Sequence, residues 1–355
     1  MSDRASFEIR TFDPATASPD DWRRYHAYRR LRAQEDAPGE PLQSDAEFEQ
    51  ELRRAWPFVV HRRFMALRND EIVGNLGTST RRAGTPEYAS FAPFVDVWGG
   101  VCVAVRRQGA ARALLQPLLA LMQAEARSTA TFRTRDEAGH AFLQAIGAVQ
   151  KHRAVENRMR FDGIDWSALA AWRAQADVPG NGLRWEVHAP RVPKARLADL
   201  MAPLTVLINE QPLGALELPR IRYELDGYDS WYAEMDRRGG EHFLVLLLDD
   251  AGVAAVCDAS WDARFPDRIY QQLTAVRRDR RGGGLAKAVK ARMLALVRER
   301  HPEATMAITF NADVNAPMLS INHRLGFAVY RQDGVYQIGC EALAAQIAQR
   351  PTSCS

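Results

Sequence analysis

Two spacings of apolar residues organise this chain. At helical spacing, Trp22, Tyr25, Tyr28 and Leu31 recur every three residues within "DDWRRYHAYRRLRAQ" and predict a helix with that stripe in the core. Leu285, Val289, Met293 and Leu296 draw a second stripe, with Lys287, Lys290 and Arg298 on other faces. Between such helices lie strand-like runs such as "RFMALRND" and "IVGNLGTST", or "HFLVLLLDD" and "VAAVCDAS". Asn69-Asp70 and Asp249-Asp250-Ala251-Gly252 separate these pairs as turns, so each pair predicts a hairpin.

The order of elements occurs twice. Opening strands ("FEIRTF", "LRWEVHA") precede first helices ("DDWRRYHAYRRLRAQ", "KARLADLMAPLTVLINE") and second helices ("DAEFEQELRRAW", "DSWYAEMDRR"). Three strands follow, ending in "FVDVWGGVCVAV" and "IYQQLTAV". A long helix, a strand, a helix and a final strand pair are expected to close each half. Gly109 pairs with Gly284 at an offset of 175 (284 − 109), and Gly147 with Gly326 at 179 (326 − 147). Two offsets this close indicate duplication of a whole domain rather than a short solenoid repeat. The expected division is 1–162, a linker with a short helix at 163–182, and 183–355. In the linker, Trp166, Leu169 and Trp172 fall at helical spacing before "PGNG" and are expected to pack onto one of the domains.

Composition changes this picture little. At 46% hydrophobic and 26% charged residues, the chain has ample material for a core. Its net charge of +3 does not by itself imply nucleic acid. Cys102, Cys257, Cys340 and Cys354 form no CxxC pair, as expected of free thiols in a reducing compartment. No apolar run reaches membrane-spanning or signal-peptide length, so the expectation is a cytoplasmic protein with no membrane partner. The eight histidines show no metal-ligand spacing, and no metal is expected.

The chemistry centres on "RRDRRGGGLAKAVK". Gly282, Gly283 and Gly284 stand where a buried strand hands over to a helix. The first turn of a helix offers unpaired N–H groups and the positive end of the dipole. Residues lacking Cβ let a phosphate approach those groups, and nearby arginines add attraction. A pyrophosphate cradle is the favoured reading; a merely tight turn is the bland one. A P-loop and a GxGxxG fingerprint are both absent.

Arg-x-x-Gly-x-Ala at a strand-to-helix junction resembles the acyl-coenzyme A signature of the GCN5-related N-acetyltransferase (GNAT) superfamily. Both halves carry it, as Arg106, Gly109 and Ala111, then Arg281, Gly284 and Ala286. The second half adds "TFNADVNAPMLSINHRLGF", similar to the superfamily's next strand and helix. The resemblance covers most of residues 183–340 and, more weakly, the first half, in a tandem layout of the mycothiol synthase kind. It implies an α/β fold of two tandem GNAT-like domains. Each would be a mixed, mostly antiparallel sheet with a splayed central strand pair flanked by helices. It also implies acetyl-CoA as co-substrate. The backbones of Leu273, Thr274 and Val276 would take the pantetheine arm. Arg281, Gly282, Gly283, Gly284, Leu285 and Ala286 would take the pyrophosphate. Asn311 and Asn315 would be side-chain contacts on the far side of the arm, with Asn315 also a natural helix cap.

Amine acetylation needs a neutral amine and a protonated thiolate leaving group. The tyrosine that many members of the superfamily place four residues before the glycine of Leu-Gly-Phe is here Asn322, and "IYQQLTAV" has no carboxylate. Substitute candidates are Tyr270, Asp258 and Asp262, with Tyr330 and Tyr336 on the closing hairpin. The expected function is N-acetyl transfer to a primary amine of a small molecule or peptide by the second half, without nucleic acid. The alternatives are a non-catalytic acyl-CoA-binding regulatory module and an aminoacyl transferase using aminoacyl-tRNA. The first half keeps its arginine and glycine but places Gln108 opposite Gly283 and Thr134 to Glu137 opposite the Asp-Val-Asn-Ala stretch. It is therefore expected to be structural.

Overall fold

The structure, a computed structural model, describes residues 6–85, 88–178, 180–212 and 215–349. Pro179 of the linker turn and Cys354 lie outside the described residues. The chain is α/β and forms two compact units, residues 1–150 with 335–355, and residues 151–334.

The first unit opens with β1 (Glu8–Thr11), α1 (Pro19–Asp36) and α2 (Asp45–Arg53). Ser18 and Ser44 start the two helices with reciprocal capping boxes to Asp21 and Glu47. The strands β2 (Val59–Arg68) and β3 (Glu71–Arg81) form the hairpin predicted around Asn69-Asp70. A single-turn α3 (Tyr88–Phe91) leads to β4 (Phe94–Val101), α4 (Ala110–Ala124), β5 (Thr129–Thr134) and α5 (Glu137–Ala145). Trp22, Tyr25 and Tyr28 are buried as expected, whereas Leu31 is exposed.

The second unit holds most of β6 (Val149–Arg160), then α6 (Trp166–Ala174), β7 (Arg184–His188), α7 (Lys194–Asn209) and α8 (Leu225–Arg237). It continues through β8 (Glu241–Asp249), β9 (Gly252–Trp261), β10 (Arg268–Val276), α9 (Leu285–Arg300), β11 (Met306–Ala312) and α10 (Ala316–Arg324). One face of its sheet packs on α7 and α8 through Leu244, Leu246, Val256 and Leu273. The other packs on α9 through Phe243, Val245, Ala259 and Ile269. The linker helix α6 joins this second core, with Leu169 buried and Trp166 and Trp172 half-buried against it.

The compact units depart from the sequence halves in one respect. The strand that closes the first half, β6, pairs antiparallel with β11 of the second unit. The strand that closes the second half, β12 (Ala328–Gly339), crosses the division at Gly334, and its last residues neighbour β5 in the first unit. The terminal α11 (Cys340–Ala348) follows into the first unit, where Leu343 is buried. Each expected final strand pair is thus one unbroken strand of 12 residues. Alternation that supports a hairpin supports one long strand equally well.

Candidate functional site

In each unit the two central strands are parallel and pair only at their starts. In the second unit the register of β10 and β11 runs from Arg268↔Met306 to Gln271↔Thr309 and stops. Beyond it β10 pairs only with β9, as far as Val276↔Ala255, and β11 only with β6, as far as Ala312↔Ala154. The strands therefore splay, and positions 272–276 present a backbone edge free of ladder partners. In the first unit β4 and β5 pair from Phe94↔Thr129 to Val97↔Phe132 and part in the same way.

The wide end of the second splay meets the glycine loop. Gly282 and Gly284 have φ of +85° and +78°, where L side chains are strained. The first unit repeats this backbone with Arg107 at +64° and Gly109 at +98°. Two glycines are thus accounted for by conformation. Gly283 is not: its φ is ordinary, and an added Cβ would meet only the Arg280 carbonyl oxygen, at 3.7 Å. What Gly283 provides is open space over the N-terminus of α9. That helix starts at Gly284 with no side-chain cap, leaving its first N–H groups available. A free strand edge leading to an uncapped, Cβ-free helix start fits a pantetheine arm and a pyrophosphate.

The arginines do something other than expected. Arg277 and Arg280 both bind Asp249 in the β8–β9 turn, each at 2.7 Å, and Arg277 also binds Asp279. Arg281 pairs with Glu210 and donates to the Val276 carbonyl at 3.1 Å. These guanidinium groups brace the loop and are largely neutralised. Arg278 is the most exposed, with a long 3.9 Å approach to Glu210.

The narrow end of the splay is polar. Gln271↔Ala259 and Thr274↔Cys257 are successive pairs of β10 with β9, so Gln272 and Leu273 form a bulge opposite Asp258. Asp258 is buried on the α7/α8 face, with Oδ1 lacking a hydrogen-bond partner. His242 Nε2, also without one, lies 3.3 Å from that atom. The Tyr232 hydroxyl accepts the Val192 N–H at 3.1 Å and lies 2.7 Å from His242 Nδ1. With the phenol proton donated to Nδ1, the imidazole carries its hydrogen on Nε2, toward Asp258. Burial, then the negative charge of Asp258, pushes the Tyr223 phenol up to about 12. The same causes, in the same order, raise Tyr228. The Asp258 carboxylate thus stands in an aromatic setting at the bulge.

On the far lip, Asn322 is buried and donates from Nδ2 to Asn311 Oδ1 at 2.8 Å. Asn315 caps α10 by accepting the Met318 N–H at 3.4 Å. Leu273 and Thr274 sit on the free edge with buried side chains, and Leu285 and Ala286 form the first turn of α9.

The catalytic candidates separate. Asp258 lies at the bulge. Tyr270 is half-buried at the paired start of β10, with burial raising its phenol and Arg268 beside it. Asp262 is held by Arg264 at 2.6 Å in the β9–β10 turn. The exposed Tyr330 has the Arg158 guanidinium 3.4 Å over its ring. Tyr336 belongs to the first unit, buried there with its hydroxyl 2.7 Å from His140. Sequence reasoning missed His242, whose placement opposite Ser260 and two rungs from Asp258, on the same face, depends on strand register. It also missed Lys290, which falls off the apolar stripe of its helix yet is 1% exposed.

The fold is that of a tandem GNAT architecture: two units, each with a splayed parallel pair whose first strand leads into a glycine-started helix. The chain is similar to the tandem GNAT protein from the clavulanic acid biosynthesis pathway, with TM-score 0.69 and 21% identity over 94% of this chain and 99% of that one. A GCN5-related N-acetyltransferase from Sphaerobacter thermophilus gives 0.63 and 16% over 96% and 97%. The glucosamine N-acetyltransferase region of a fungal multi-domain β-N-acetylglucosaminidase gives 0.66 and 13%, over 94% of this chain and 38% of that one. No family model matches the chain, and no curated protein matches it in sequence. Among the described residues no His, Cys, Asp and Glu cluster could hold a metal, and no helix is long and apolar enough to cross a membrane.

Proposed function

We propose that the protein is an acetyl-CoA-dependent N-acetyltransferase acting on a primary amine of a small molecule or peptide, with the second unit catalytic. The observation that carries this reading is the bulge. A buried carboxylate, Asp258, with only the His242 imidazole 3.3 Å from its unbonded Oδ1, faces the end of a free strand edge whose other end is the glycine loop. When bound, the thioester supplies an activated acyl group.

The residues of the chain then divide the remaining work. The free N–H groups at the start of α9 bind phosphate, and the 272–276 edge aligns the arm as an added strand would. Asp258 attracts the acceptor as its ammonium and removes a proton, which matters because an amine of pKa near 10.4 is neutral only about one part in a thousand at pH 7. His242 holds the carboxylate in place through Nε2–H. Tyr223 and Tyr228 line the approach with rings suited to a cation.

Thiol release from acetyl-CoA with a broad amine panel tests the activity. Asp258→Asn should lower kcat by about 10²-fold or more with little change in acetyl-CoA affinity. Unchanged turnover in that variant would remove Asp258 from the chemistry.

A further inference from the structure

Lys290 lies on α9 with its ammonium in the core, 1% exposed. Nζ donates to Gln271 Oε1 at 2.7 Å and stands 5.4 Å from the centroid of the Phe327 ring. Among the described residues it forms no ion pair. Burial pulls its pKa down to about 8, with the Cys257 thiol opposing that shift. An ammonium without a counter-charge is costly to keep in a core, and a methionine would fill the same volume without the cost.

Its position gives the reason. Gln271 is the last residue of β10 that pairs with β11, so Lys290 reaches the closed end of the splay. From Val276 back to Gln271 are five strand steps of about 3.3 Å, roughly 17 Å of free edge. An arm whose phosphates sit on the glycine loop brings its sulfur to that closed end. Two buried polar atoms there lack partners, Gln271 Nε2 and Asn322 Oδ1. Phe327, under the ammonium, donates its N–H to the Asn322 carbonyl at 3.0 Å, which places Asn322 in the same cluster. Asn322 has no acidic proton to give.

Building on the coenzyme reading above, we propose that the Lys290 ammonium receives the sulfur of the thioester and protonates it as it leaves. The acceptor nitrogen bonds to the acyl carbon and the C–S bond breaks with its electron pair on sulfur. Sulfur takes one proton from Nζ, and the proton shed by the nitrogen passes to Asp258 and then to solvent. Solvent returns a proton to Nζ. A free thiol has a pKa near 8.5, so donor and acceptor are matched and neither direction is steep.

The test needs no acceptor amine. Free-thiol CoA is bound to the full-length protein and titrated by its ultraviolet thiolate band. The same protein saturated with acetyl-CoA, whose sulfur cannot ionise, serves as the reference. In the wild type the bound thiol should titrate about one unit or more below free CoA. Lys290→Met should return it to the free value or above, and Lys290→Arg should keep it low. A wild-type bound thiol at or above the free value overturns the proposal without recourse to a variant. So does a lowered value that survives Lys290→Met. Failure of CoA to bind at all would instead overturn the coenzyme reading, and this inference with it.

Discussion

In the turn between β8 and β9 a single carboxylate carries two guanidinium groups. Hydrogen bonding from Arg277 first, against the cost of burial, and then from Arg280 holds the Asp249 carboxyl well below the usual carboxylate range. A carboxyl depressed in the folded state stabilises the fold above its unfolded pKa, near 3.9, and that stability is lost as pH falls through the lower folded value. Asp249 therefore contributes nothing to pH dependence near neutrality and steepens unfolding below about pH 4. Asp249→Asn should cost about 1–2 kcal/mol at pH 7, since both arginines are partly open to water and Arg277 keeps Asp279. It should also flatten the acid limb of a melting-temperature profile. A variant whose acid limb runs parallel to the wild type would show that the carboxylate charge is not what braces the loop.

Among the elements, the strand–loop–helix unit was the most legible in sequence. Three adjacent glycines before an amphipathic stripe leave little alternative to a strand handing over to a helix, and the copy 175 residues earlier supports it. The structure then divides the glycines: Gly282 and Gly284 answer to φ, and Gly283 to space. Gly283→Val should therefore weaken acetyl-CoA binding by an estimated tenfold or more with the melting temperature unchanged, because its backbone accepts a side chain. Gly284→Val would confuse binding with strain, since its φ is +78° and an added Cβ would lie 2.8 Å from Gln175 Oε1. Calorimetry on Gly283→Val with unaltered affinity would reduce the loop to a tight turn. Other elements were less legible for physical reasons. Period-two alternation in β12 reads alike as a hairpin or one strand, and no local pattern says which unit a strand joins. Lys290 looked polar on a helical wheel because residue type, not burial, sets its place there. The dyad of Asp258 and His242 joins strands through register, which no spacing within either strand records.

At the scale of the whole molecule, the two units share a splay and a loop backbone but differ at its mouth. In the second unit Arg281 turns toward Glu210, and the residue capping α10 is the neutral Asn315. In the first, the corresponding Arg106 bonds Asp136 at 2.7 Å, and Asp136 caps α5 through the Gly139 N–H. That ion pair straps the loop before α4 to the start of α5, across the path an arm would take between β4 and β5. It also puts a carboxylate beside the place for phosphate. Gln108, at the position of Gly283, brings a side chain where the second unit has none; it accepts from Arg68 and donates to the Ala104 carbonyl. The first unit is therefore expected to leave its splay unused, and titration calorimetry of the intact protein should find a single tight acetyl-CoA site per chain. Gly283→Val should weaken that site, while Gly109→Ala should leave it alone. The double variant Arg106→Ala with Asp136→Ala should uncover weak binding at the first splay if the strap is what closes it. Two tight sites in the wild type, or binding that survives Gly283→Val but not Gly109→Ala, would assign the coenzyme to the first unit instead.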